Sequence, residues 1–240
     1  MVQKKYSYED FLEIIKTLRS ENGCPWDREQ THMTLRPCLS EEACEVNAAI
    51  RILDETGNAE NLREELGDVL LQVVMHAQIA KEEGLFTMED VVQEVSEKMV
   101  RRHPHVFGET KVTGSGQVLE NWEEIKKKEK EGRAVLSTPL QEIPKELPAL
   151  TRATKVIKKA DKLYEKQGDY RSAVKALQEA ADKLAAITPE DYSPEITCHM
   201  GDALMALSNI SRICKLSPEL ILDDRIEGMI EAFEGLSTEV

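Results

Sequence analysis

Two short segments of this chain place acidic side chains at the spacing of successive helical turns. The segment SEEACEV carries Glu42 and Glu45, and the later segment LREELGDVLLQVV carries Glu65 and Asp68. Residues three apart advance about 300° around an α-helix, so each pair projects from one side of its helix. Converging carboxylates repel one another, and Mg²⁺ removes that conflict because it takes oxygen ligands. The spacing therefore predicts a Mg²⁺ site, and the alternative is a solvated acidic face.

The elements that must position these acids are two helices joined by a polar stretch at 54–61. So short a connection predicts an antiparallel helical hairpin. The second helix has a main apolar stripe, and Leu71 with Met75 makes its opposite side apolar as well. A helix that is apolar nearly all round is expected to be buried. Glu65 and Asp68 lie on the side that carries Met75, so their carboxylates would be buried as well and would need partners. We expect Leu71 and Met75 to need a second copy of the chain, which predicts a homodimer.

Basic and aromatic side chains that could hold a phosphate ligand lie further along the chain. Lys98 and Arg102 are four residues apart, so they share a helix face that could bind polyphosphate; the alternative is that they complement the helix dipole. Trp122 and Lys126 share a face of a polar helix in the same way. Trp26 has two interpretations, a plug in the core or a wall against a ligand base.

Local signals predict where several helices begin. Ser7 and Thr87 each precede an apolar-periodic segment and an acidic residue three positions on, a pattern typical of helix N-caps. Gln30 and His32 precede the first acidic helix, and we expect them to cap it rather than touch a ligand.

Composition limits the classes of function. The 240 residues predict one or two domains, and 41% hydrophobic with 32% charged residues is typical of a soluble helical protein. A net charge of -14 argues against a sequence-independent grip on a nucleic acid polymer or an anionic membrane. Five cysteines without paired spacing, no apolar leader and no long apolar run predict a cytoplasmic protein.

Prolines and glycines interrupt the helical periodicity midway along the chain. We therefore expect an all-α fold with a first domain at 1–132, a linker at 133–148 and a second helical domain at 149–240. The second domain is predicted to contain helices at 149–167, 169–187, 194–215 and 218–234.

These motifs together resemble the MazG family of nucleoside triphosphate pyrophosphohydrolases. The resemblance runs in the family's order over GCPWDREQTH, SEEACE, LREELGDVLLQVVMHAQIAKEEG, EKMVRRHPHVFG and NWEEIKKKEK, and covers nearly all of residues 8–130. It implies a MazG-like helical bundle, dimers, and hydrolysis of nucleoside triphosphates (NTPs) to monophosphate and pyrophosphate. It also implies Mg²⁺, with Mn²⁺ as a substitute, and a house-cleaning or nucleotide-pool role.

The resemblance also implies roles for individual residues. The implied catalytic metal ligands are Glu42, Glu45, Glu65 and Asp68. The implied substrate contacts are Lys98, Arg102, Trp122 and Lys126, with Trp26 as a candidate wall for the base. Glu41 fits the first acid of the motif, and its catalytic role stays open between supporting the ligands and acting as general base.

The C-terminal half resembles a second, degenerate MazG domain. Gln178, Glu179 and Asp182 stand at the places of the first acidic motif, whereas the second motif has His199 in the place of its glutamate and keeps Asp202. We expect this half to be catalytically silent. The segment 168–190 also resembles one tetratricopeptide unit, but a single unit cannot bury its own apolar face.

Two other functions compete with this hypothesis. A di-iron carboxylate bundle would need Glu-x-x-His motifs, and the residues at those places are Glu45 and Asp68. A non-catalytic, nucleotide-sensing helical scaffold would bind NTPs without turnover.

Overall fold

The computed structural model describes residues 4–130, 138–165, 168–187 and 194–235, with the backbone alone for Lys130. The described residues form α-helices joined by turns, which confirms the all-α prediction. The helices are α1 (Tyr8–Leu18), α2 (Pro25–Glu29), α3 (His32–Thr56), α4 (Glu60–Glu82), α5 (Met88–Arg102), α6 (Pro104–Phe107), α7 (Ser115–Lys130), α8 (Ala149–Tyr164), α9 (Tyr170–Ala185), α10 (Pro194–Ile213) and α11 (Pro218–Glu234). No described helix is long and apolar enough to cross a membrane.

The chain divides into two compact units, Met1–Glu131 and Gly132–Val240. In the first unit α3 packs along α4, and in the second α10 packs along α9. Each unit is therefore built on a helical hairpin. The α3–α4 connection turns at Gly57, whose φ of 72° favours glycine and whose N–H donates to the Leu53 carbonyl.

Helix starts follow the predicted caps at two places. The side chains of Ser7 and Thr87 each accept a hydrogen bond from the backbone N–H three residues on. The carboxylate of that third residue, Asp10 or Asp90, in turn accepts a hydrogen bond from the backbone N–H of the cap residue. These capping boxes confirm the prediction, and each is worth about 1 kcal/mol. The cap of α3 is different, because Thr31 rather than Gln30 or His32 accepts from the backbone N–H of Thr34.

The core of the first unit forms where α1 covers one side of α4. Its buried side chains are Ile15, Leu35, Val74, Met75 and Ile79, and Leu71 packs against them. The expectation that Leu71 and Met75 need a second copy is therefore wrong, because α1 supplies their partners within the chain. The exposed side of α4 is instead the stripe of Leu66, Leu70 and Val73.

The second unit is packed through small residues. Ala173 and Ala180 of α9 and Ala206 and Ser208 of α10 are buried. Small side chains let two helices approach closely, so this hairpin keeps a tight interface. The described helices of this unit match the predicted ones and end within three residues of the expected positions.

Candidate metal and nucleotide site

Three of the four predicted ligands converge between α3 and α4. One carboxylate oxygen from each of Glu42, Glu45 and Glu65 lies within 4.8 Å of the others. Asp68 is half-buried one turn after Glu65 on α4, close enough that its charge acts on both Glu42 and Glu65. The hairpin therefore collects negative charge at one place.

The electrostatics of this cluster disfavour its fully ionised state. Burial raises the pKa of Glu42 above its ordinary value, and a hydrogen bond with Glu45 and the charge of Asp68 raise it further. Burial also raises the pKa of Glu65, with the charges of Glu64 and Asp68 adding to the shift. A cation bound among these oxygens would reverse that preference.

Gln72 is a member of the site that the sequence reasoning missed. Its side chain is 6% exposed, and its Nε2 donates to Glu42 Oε1 over 3.4 Å. Its Oε1 is buried and has no hydrogen-bond partner among the described residues. A polar residue one turn after Asp68, inside an otherwise apolar run, was the signal that could have found it.

Glu41, the acid whose role stays open, is exposed beside the cluster rather than within it. Its neighbour Glu42 supplies the oxygen that converges with Glu45 and Glu65. Glu41 is therefore open to solvent next to the converging acids.

The basic residues lie where α5 meets α7. The guanidinium of Arg102 donates to Glu129 over 2.6 Å and lies 5.5 Å from the Trp122 ring centroid. Arg101 donates to the same carboxylate over 2.8 Å. These two cations lower the pKa of Glu129 to about 2. His103 packs edge-on against Trp122, with the two ring centroids 4.9 Å apart.

Two other predicted substrate residues lie in this region. Lys98 is half-buried one turn before Arg102. Lys126 lies one turn after Trp122 and pairs with Glu123 over 3.3 Å. The structure thus brings Arg102 and Trp122 into contact and places Lys98 and Lys126 on the same two helices.

Trp26 is 63% exposed on α2, so it is not a core plug. Arg19 fastens α2 to the carboxyl end of α4, since it binds the Asp27 carbonyl and the Glu82 carboxylate. Glu82 follows Asp68 by fourteen residues, which is about 21 Å along a helix. Within this unit Trp26 is therefore remote from the acids.

The sequence of this chain is similar to those of known proteins. The MazG nucleotide pyrophosphohydrolase domain matches residues 30–107. The Thermotoga maritima nucleoside triphosphate pyrophosphohydrolase/pyrophosphatase MazG is 38% identical over 229 residues, which cover 95% of this chain and 85% of that protein. This chain belongs to the MazG family.

Two further relatives show how the MazG sequence is shared. The Escherichia coli K12 nucleoside triphosphate pyrophosphohydrolase is 39% identical over 217 residues, covering 88% of this chain and 80% of that protein. Bacillus subtilis YabN, an uncharacterized protein, is 43% identical over 215 residues, and the match spans 89% of this chain but only 43% of YabN.

The donor set of this MazG chain fits a hard divalent cation. Its converging atoms are carboxylate oxygens, and Mg²⁺ and Mn²⁺ prefer oxygen ligands. The amide of Gln72 borders the cluster, because its Nε2 donates to Glu42. A di-iron bundle would need histidine at the places of Glu45 and Asp68, so the same residues argue against it.

Proposed function

We propose that this chain hydrolyses NTPs to nucleoside monophosphate and pyrophosphate with Mg²⁺, or Mn²⁺ as a substitute. The observation that carries the proposal is the convergence of Glu42, Glu45 and Glu65 within 4.8 Å. Burial and mutual repulsion raise the pKa of Glu42 and Glu65, and a bound cation would relieve that repulsion. Membership of the MazG family supports the reaction.

In the proposed reaction, a water oxygen bonds to the α-phosphorus and the bond from that phosphorus to the α–β bridging oxygen breaks. Bound Mg²⁺ would offset charge on phosphate oxygens and make the water more acidic. Glu42, Glu45, Glu65 and Asp68 would hold the cation, and one of them or the exposed Glu41 would accept the proton of the water. Pyrophosphate leaves with the bridging oxygen.

The basic side chains offset the charge of the leaving pyrophosphate. Arg102 is the strongest candidate for this contact. Its planar guanidinium already lies against Trp122, and a guanidinium can bind a phosphate through two parallel hydrogen bonds. Its present partner is the Glu129 carboxylate. We propose that substrate phosphate replaces Glu129 on Arg102 while Lys98 and Lys126 add charge. Trp122 would contact the nucleoside, and Trp26 would do so only if the proposed homodimer brings it to the site of the other copy.

We also propose a homodimer in which a second copy covers the exposed apolar stripe of the first unit. Leu66, Leu70 and Val73 on α4 are 52%, 39% and 36% exposed, and Ile50 on α3 is 50% exposed. Exposed apolar residues in this number on one hairpin indicate an interface. Light scattering of the protein at micromolar concentration should give twice the chain mass. A monomeric mass, unaltered in Leu70→Lys, would contradict the proposal.

The proposed role is house-cleaning or nucleotide-pool control in the cytoplasm. The described cysteines are all free, in keeping with a reducing compartment. Such a role requires that the enzyme prefer some NTPs over others, and the substrate panel below tests that preference.

A coupled phosphate assay tests the reaction itself. Standard, deoxy and damaged NTPs would each be incubated with the protein and Mg²⁺, with and without added inorganic pyrophosphatase. We expect phosphate release only when pyrophosphatase is present, because the product is pyrophosphate. Release without pyrophosphatase would show cleavage of the terminal phosphate instead, and NTP binding without any release would favour a nucleotide-sensing scaffold.

A further inference from the structure

A second cluster of metal-ligating side chains lies in the C-terminal unit, on the first half of α10. Cys198, His199 and Asp202 each offer a ligand atom, and the three atoms lie within 4.8 Å of one another. Cys198 and Asp202 are four residues apart, which is the spacing that places two zinc ligands on one helix face in the H-E-x-x-H motif. His199 lies between them and approaches the same point.

His199 and Asp202 lie close enough together to share one metal ion. His199 Nδ1 lies 3.7 Å from Asp202 Oδ2, beyond hydrogen-bond range. Two ligand atoms each about 2.0–2.2 Å from a tetrahedral metal lie roughly 3.3–3.6 Å apart, so a small side-chain rotation suffices. His199 Nδ1 is also buried without a hydrogen-bond partner among the described residues. A buried ring nitrogen without a partner is an open ligand position.

The donor types select a different class of metal from that of the first unit. The α3–α4 cluster offers only carboxylate oxygens, which suit Mg²⁺. The α10 cluster offers a thiol, an imidazole and one carboxylate, and thiolate with imidazole favours zinc over magnesium. His199 stands at the position of Glu65 in the first hairpin, so a single replacement changes both the charge and the softness of the site.

We propose that Cys198, His199 and Asp202 form a Zn²⁺ site in the C-terminal unit. Three protein ligands leave the fourth tetrahedral position open for water or another group. Cys198 and Asp202 are exposed, so solvent can supply that group. Because all three protein ligands lie on one helix, the metal crosslinks no two elements, and its loss should change the unfolding temperature little.

Cobalt and zinc titrations of the full chain test the proposal. The protein would be reduced, freed of metal by chelation and kept in excess Mg²⁺ to fill the oxygen site. Co²⁺ should produce a thiolate charge-transfer absorption band that Zn²⁺ abolishes in a one-to-one ratio.

Matched cysteine variants decide which thiol binds. Cys198→Ser should remove the band, and both Cys198→Ser and His199→Gln should weaken Zn²⁺ binding by at least the roughly 10–100-fold that losing an outer-shell partner costs. Cys214→Ser, at an exposed cysteine directly after α10, should change neither. Because Cys198 is exposed, its serine variant should fold normally. Absence of the band in the unaltered protein, its survival in Cys198→Ser, or its loss in Cys214→Ser would overturn the proposal.

Discussion

The α3–α4 and α9–α10 hairpins share a packing pattern but not a charge pattern. In the register that aligns Asp68 with Asp202, the exposed Leu66, Leu70 and Val73 correspond to Met200, Leu204 and Leu207, which are also exposed, at 53%, 48% and 45%. Gln72 corresponds to Ala206, and both are 6% exposed. At these positions the two helices share one pattern of exposure, whereas further along α4 is more buried than the aligned segment: Met75 and Ala80 are buried, but their counterparts Asn209 and Cys214 are not.

The two hairpins differ in the charged side chains that lie next to their acidic residues. Glu42 faces other carboxylates, which raise its pKa, whereas its counterpart Glu179 pairs with Lys175 over 3.7 Å. The ligand cluster of the second unit lies wholly on α10, whereas that of the first joins two helices. A hairpin can thus keep its shape after losing convergent charge, and the chemistry is expected where the convergence remains.

Replacing single acids should give the largest effect. Glu42→Gln, Glu45→Gln, Glu65→Gln and Asp68→Asn keep side-chain size but lose charge. Because a bound cation contributes several kcal/mol to charge stabilisation, we expect turnover to fall at least about 100-fold in each variant. Steady-state turnover with Mg²⁺, alongside circular dichroism to show retained helix, measures this.

The second hairpin supplies the matched controls for that experiment. Glu179→Gln and Asp182→Asn alter the aligned acids on α9 and should leave turnover within about twofold of the unaltered rate, since surface charge changes have small effects. Loss of activity in these controls, or normal rates in Glu65→Gln and Asp68→Asn, would reverse the assignment of chemistry to the first hairpin.

The two units also differ in their basic residues. The helix that follows the hairpin is α5 in the first unit and α11 in the second, and the basic residue of α11 is the exposed Arg225. Lys98→Ala and Arg102→Ala should weaken binding of a non-hydrolysable NTP. Each charge-assisted contact is worth roughly 1.5–3 kcal/mol, about ten- to a hundredfold in affinity. Equilibrium titration in the presence of Mg²⁺ measures it.

Arg101→Ala is the control for Arg102→Ala. Both arginines bind Glu129, but the guanidinium that lies over Trp122 belongs to Arg102. If the two variants lose affinity equally, the effect comes from freeing Glu129 and not from a contact between Arg102 and the substrate.

Importing the second hairpin's alanine tests the residue that holds Glu42. Gln72→Ala should fold, since Ala206 occupies the aligned position at the same burial. Outer-shell partners typically contribute 10–100-fold to metal affinity, and the long 3.4 Å bond to Glu42 places this one near tenfold. Mg²⁺ dependence of turnover would report the loss. An unchanged Mg²⁺ requirement would make Gln72 a packing residue only.

The sequence allowed much of the site to be predicted because its signals are local. The i, i+3 acids and the capping boxes at Ser7 and Thr87 depend on neighbours within one helical turn. The expectation that Leu71 and Met75 need a second copy is wrong because apolar residues occur on both sides of α4, and the side that is buried depends on α1, a segment distant in the sequence. The exposure of Trp26 likewise depends on how Arg19 fastens α2 to α4.

A histidine pair gives the smallest expected effect and a pH signature peculiar to the first hairpin. His32 Nδ1 and His76 Nδ1 lie 2.8 Å apart with stacked rings, and Glu83 lies 3.9 Å from His32 Nε2. Burial, and then the neighbouring His32, lowers the pKa of His76. The second hairpin has Ile210 at the position of His76.

The sign of the pH effect follows from that lowered pKa. Below the ordinary histidine pKa of about 6.5, the unfolded chain binds a proton at His76 that the folded protein resists. The free energy of unfolding should therefore be fully retained above that pH and fall as the pH drops below it. One proton taken up on unfolding changes this free energy by at most about 1.4 kcal/mol per pH unit. In His76→Ile the slope between pH 7 and 5.5, from urea denaturation, should be shallower, whereas His105→Gln should keep it. Equal slopes in all three proteins would show that the pair does not couple folding to pH.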